Sequence, residues 1–162
     1  MIDEQFRILK FMNEMTTRTD TNAFAQKVGL TSAQLMQHMQ ELVKLGYLKK
    51  VGEGFAITEK GKKILKTTKP LSENVKFHFY VAVGEPTNLY AISVKEFRDH
   101  VLEVNAASLE FHVYRSDFEN WFLTAVGDKA FAEELSKLKK KNLHGEELRK
   151  ALAKALEAEF SS

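Results

Sequence analysis

At Pro70 the apolar pattern of the chain changes period, and no other feature constrains the fold as strongly. Up to Lys66 apolar residues recur at three- and four-residue intervals, the spacing of helices that bury one face. Beyond Pro70 they alternate, in Val75, Phe77, Phe79, Val81 and Val83 with Lys76, His78 and Tyr80 between, which is the period of a half-buried strand. Proline disfavours the helical region for Lys69 and cannot continue a helix itself. With 162 residues available, and roughly 100 to 200 residues in a typical domain, the chain holds one domain or two small ones. The break predicts two, over residues 1–68 and 73–162.

Charge follows the same division. Residues 1–68 carry 11 Lys+Arg and 7 Asp+Glu, net +4, while the rest carry 13 and 15, net −2. A basic front half and a mildly acidic back half imply different partners. The chain has 44% hydrophobic residues, 2 Pro and no Cys. The first two values exclude disorder, and the last excludes disulfides, Cys-ligated zinc and thiol catalysis. No apolar run approaches the roughly 20 residues that span a bilayer, so no membrane partner is expected. Asp3 and Glu4 stand where a secretory signal would be basic, which predicts a cytoplasmic location.

In the front half, Ile2, Phe6, Leu9 and Met12 predict a helix over 2–15, and Asp20 or Thr21 can cap a second that Gly29 ends. Thr31-Ser32-Ala33-Gln34 has the form of a capping box and opens a third. Its buried stripe is Leu35, Met36, Met39, Leu42 and Val43, with Ser32, Gln34, Gln37, His38, Glu41 and Lys44 outside. Tyr47–Val51 and Phe55–Thr58 are short strands about Gly52-Glu53-Gly54, whose two glycines accept positive φ, and Glu59–Lys66 is a fourth helix. Three helices, a hairpin and a closing helix are the plan of a winged helix-turn-helix. The stretch resembles archaeal and bacterial winged-helix regulators in Leu42, Leu45, Gly46, Tyr47 and Leu48, then Ile57, Thr58, Lys60, Gly61 and Leu65.

In the back half, Leu89–Ile92 returns as a partner strand and Ser93 caps a helix. Ser108–Tyr114 reads as a third strand, and Ser116-Asp117-Phe118-Glu119 as a second capping box. Phe131, Leu135 and Leu138 mark another helix, and Leu148, Ala151, Leu152, Ala155, Leu156 and Phe160 a final one. The expected class is therefore α+β, a winged helix-turn-helix followed by a small mixed domain with a short antiparallel sheet and C-terminal helices. Gly84, Ala91, Ser93, Glu96, Phe97, His112, Arg115, Asp117, Phe118 and Trp121 resemble an archaeal and bacterial domain of unknown function.

The winged-helix resemblance implies a transcriptional regulator bound to double-stranded DNA. On the third helix, Gln37 could pair with adenine and His38 or Lys44 with guanine, flanked by Ser32 and Gln34. Lys49, Lys50, Lys60 and Lys63 would reach phosphates around the wing. The rival readings are a protein-interaction module and a chromatin-type binder without a preferred site. A homodimer is expected, because six apolar residues on the last helix exceed what a small domain need cover. The back half would then associate or take a small-molecule or protein effector. His112, Arg115 and Asp117 could form an acid–base site if His78 or His100 came near, but no metal-binding, nucleophile or phosphate-loop spacing accompanies them. A His–Asp contact that orders a turn explains them more simply. Neither catalysis nor a cofactor is expected.

Overall fold

Thr31 begins the front half's central helix with both halves of a capping box formed. Its Oγ1 accepts from the Gln34 amide at 3.1 Å, and its own amide donates to Gln34 Oε1 at 3.0 Å. The computed structural model describes residues 2–15 and 20–160. It divides into two compact units, Met1–Lys66 and Thr67–Ser162. Among the described residues no helix is long and apolar enough to cross a membrane.

The front unit runs α1 (Asp3–Glu14), α2 (Thr21–Val28), α3 (Ser32–Lys44), β1 (Leu48–Val51), β2 (Gly54–Ile57) and α4 (Glu59–Thr68), whose last turn passes the division. Asp20 caps α2, accepting from the Ala23 amide at 2.9 Å, and Gly29 ends it at φ 74°. β1 and β2 pair antiparallel from Leu48↔Ile57 to Val51↔Gly54. Of the two turn glycines only Gly52, at φ 59°, uses the left-handed region. Ile8, Leu9, Leu35, Leu42 and Leu48 form the centre of the core. Thr58 ties hairpin to helix, its hydroxyl donating to Gly46 O at 2.6 Å while accepting from the Gly61 amide at 3.0 Å.

The back unit runs β3 (Phe77–Ala82), β4 (Glu85–Ala91), α5 (Val94–Glu103), α6 (Ala106–Tyr114), α7 (Asp117–Trp121), a π turn (Phe122–Val126), α8 (Lys129–Lys140) and α9 (Gly145–Glu159). Its core is aromatic. Phe97 stacks on Trp121 with centroids 5.1 Å apart and receives Phe118 and Phe122 edge-on at 4.9 and 5.1 Å. The Trp121 indole N–H is satisfied by Val75 O at 2.7 Å.

Three expectations are corrected here. Ser108–Tyr114 is not a strand but most of α6, capped by Asn105 Oδ1 accepting from the Ala107 amide at 2.9 Å. The sheet of this unit accordingly has two strands. Ser108, Leu109, His112 and Val113 are buried together, which is helical spacing, and the alternation of Leu109, Phe111 and Val113 concealed it. Ser116 forms no capping box, since it lies at φ 65° and its hydroxyl instead accepts from Lys139 Nζ at 2.6 Å. The apolar stripe of the last helix is covered by the unit's own core. Leu148, Leu152 and Leu156 are fully buried there beside Phe160, so the stripe no longer argues for a second copy.

Candidate functional site

Two regions carry candidate residues, one on each unit. On the front unit, Ser32, Gln34 and Lys60, among the nine residues singled out in the sequence, are held by hydrogen bonds within the unit. Ser32 Oγ donates to Asn22 Oδ1 at 2.5 Å and ties α3 to α2, while Gln34 closes the capping box. Lys60 Nζ donates to Leu45 O at 2.9 Å and lies 5.1 Å from the Tyr47 ring centroid, covering the end of α3. His38 is largely buried, with Nδ1 3.7 Å from Glu41 Oε2, too long for a hydrogen bond. Gln37, Lys44, Lys49 and Lys50 are exposed, and Lys63 is half-buried on α4.

Gln37 belongs to an exposed stripe of Ala33, Gln37, Gln40 and Lys44, at helical spacing. Gln40 was missed in the sequence, although its place between Gln37 and Lys44 was the signal for it. Glu41 is the one carboxylate on α3; it borders this stripe, with its side chain 46% exposed, and accepts from Gln5 Nε2 of α1 at 2.8 Å. Lys49 and Lys50 are successive in β1, so they leave opposite faces of the hairpin, and Glu53 is exposed at its tip. The result is an amide and lysine surface on α3, lysines along the hairpin and one acid at the hairpin's end.

On the back unit, His112 joins three elements. Buried on α6, it accepts at Nε2 from the Tyr80 amide of β3 at 2.8 Å. Nε2 therefore carries no proton, and Nδ1–H donates to Asp117 Oδ2 of α7 at 2.9 Å. Burial holds the imidazole pKa below its ordinary value, and the Asp117 contact only partly offsets that. With both ring nitrogens committed, His112 has no lone pair to offer a substrate, and the arrangement fits a fastener of strand to helix. His78 lines the same cleft as His112, whereas His100 is engaged by Tyr90 O at 2.9 Å and Glu103 at 2.7 Å. Among the described residues no three His, Cys, Asp or Glu side chains come together as metal ligands.

Residues 72–162 match a family of unknown function (DUF5752). That is more than half of the chain, and the protein belongs to this family. The matched stretch takes in the residues that resembled a domain of unknown function and the whole His112 cleft. No curated protein and no solved structure matches the chain.

Proposed function

We propose that the front unit is a winged helix that binds duplex DNA, and that the protein is a transcriptional regulator whose back unit associates or senses. The observation that carries this reading is the exposed stripe of Gln37, Gln40 and Lys44 on α3, together with the exposed Lys49 and Lys50 of the hairpin. The one carboxylate of α3, Glu41, borders that stripe and is held by a hydrogen bond from Gln5 at 2.8 Å. Glutamine amides can pair with adenine in the major groove, and the hairpin lysines supply charge for the backbone. No arginine stands on α3, so the strongest guanine contact is missing and modest sequence preference is expected. Glu53 at the hairpin tip favours contacts through Lys49 and Lys50 rather than through the tip itself.

The test is the salt dependence of binding to random and genomic duplexes, for the parent and for a Lys44→Ala/Lys49→Ala/Lys50→Ala variant. The variant should bind every duplex more weakly and lose about 0.9 from the log–log salt slope for each phosphate contact removed. Parent-like binding by the triple variant at low salt would favour a protein-interaction module. A parent that binds all duplexes equally would favour a chromatin-type binder.

A further inference from the structure

Three departures from regular backbone border the same cleft on the back unit. β3 breaks register with β4 on both sides of Tyr80. Ser116, between Arg115 and Asp117, takes a left-handed conformation without being glycine. The helix after Trp121 widens into a π turn. Bulges, left-handed non-glycine residues and π turns all sacrifice regular pairing or backbone comfort, and they concentrate where side chains are aimed at a ligand. Tyr80, Arg115, Asp117, Trp121 and Thr124 all line the cleft, whose volume is about 600 Å³. Small-molecule sites span about 300–1,000 Å³.

Its chemistry is aromatic walls with one placed cation. Arg115 is the sole Lys or Arg lining the cleft among the described residues. Its guanidinium carbon lies 4.5 Å from the Phe111 ring centroid, and its Nε is 3.6 Å from Asp117 Oδ2. Asp117 is itself held by His112, and His112 by the Tyr80 amide. The outer edge of the guanidinium, its two Nη groups, has no partner among the described residues. Asn120, three residues beyond Asp117 on α7, is exposed and lines the cleft. A fork that lies over the Phe111 ring, with Nε in ion-pair range of Asp117 and Nη open, is suited to a planar anion. One arginine beside one aspartate suits a monoanion better than a dianion. An added peptide strand fits less well, because the Tyr80 amide already donates to His112.

We propose that this cleft binds a small aromatic carboxylate, its ring against Tyr80, Phe111 and Trp121 and its carboxylate on the Nη edge of Arg115 beside the Asn120 amide. The proposal is independent of the DNA reading, since it is tested without nucleic acid.

The experiment titrates the ¹⁵N-labelled full chain with 2-naphthoate, neutral 2-naphthylmethanol and 2-naphthyl phosphate, following amide shifts. Naphthoate should shift Tyr80, Arg115 and Asn120 saturably and bind about tenfold or more tightly than the alcohol, with Arg115→Gln erasing that difference. Asn120→Asp, at an exposed position, should weaken naphthoate about tenfold and keeps the test usable if Arg115→Gln does not fold. Equal affinity for naphthoate and alcohol overturns the proposal, as does parent-like naphthoate binding by a folded Arg115→Gln or Asn120→Asp variant. Tighter binding of the phosphate overturns the choice of a carboxylate. Absence of saturable shifts at about 10 mM naphthoate overturns the site itself.

Discussion

The backbone amide of Tyr80 donates to the ring of His112 across 32 residues of sequence, at 2.8 Å. An open strand edge is thereby closed by a side chain from a helix. The same imidazole fixes Asp117 through its other nitrogen, so one buried residue sets both the edge of β3 and the start of α7.

Acid should loosen the back unit through His112. Its folded-state pKa lies below the ordinary 6.5, so its contribution to stability is complete above pH 6.5 and is lost as pH falls through the folded value. Protonated, Nε2 could no longer accept from Tyr80. Thermal melts from pH 7.5 down to 5 should show a falling Tm in the parent. A His112→Leu variant should be less stable near neutrality by about 1–3 kcal/mol. Its deficit should shrink toward low pH, and a constant deficit would remove this role for the imidazole.

Gly61 should not tolerate a methyl group. A Cβ there would stand 2.3 Å from the Tyr47 carbonyl oxygen, which is backbone and already accepts from the Thr58 amide at 3.0 Å. Gly61→Ala is expected to lower the stability of the front unit by about 1–3 kcal/mol through overpacking, despite alanine's better helix propensity. Urea unfolding followed by circular dichroism reads the effect, and an unchanged or raised midpoint would contradict the close approach of α4 to Tyr47.

If the front unit binds DNA as proposed, Gln5 should influence that binding without touching DNA. It is buried on α1 and restrains the Glu41 carboxylate. Gln5→Leu releases that carboxylate toward the face of α3 and should weaken binding a few-fold at low salt. Adding Glu41→Gln should restore it, because the released group is then neutral. If the double variant binds no better than Gln5→Leu alone, the effect lies in packing rather than charge.

The front unit was legible because its signals are local. The Thr31 capping box, the Asp20 cap, the turn at Gly29 and the Leu35–Leu42 stripe all act within a few residues of themselves. What escaped notice there was long-range, namely the turn of Glu41 toward Gln5 and of Lys60 onto the end of α3. In the back unit the cap at Ser93 was equally local, but α6 packs against β3, α7, α8 and α9. Phe111, off its buried stripe, carries a large ring that lies under Arg115, and a helix with aromatics on two faces mimics a strand. Ser116 read as a cap because its neighbours had the right types. Its hydroxyl is taken instead by Lys139, 23 residues away, which no local pattern contains.

The position of Trp121 gives the back unit an optical signature that the front unit lacks. It is the chain's single tryptophan, it is 7% exposed, and its indole is anchored to Val75 within the same unit. Intrinsic emission excited at the red edge of tyrosine absorption therefore follows one half of the polypeptide, whereas far-ultraviolet ellipticity sums the helices of both. Where the two signals part along a denaturation curve, the separation belongs to the front unit, and the loss of order in each half can be timed without attaching a dye.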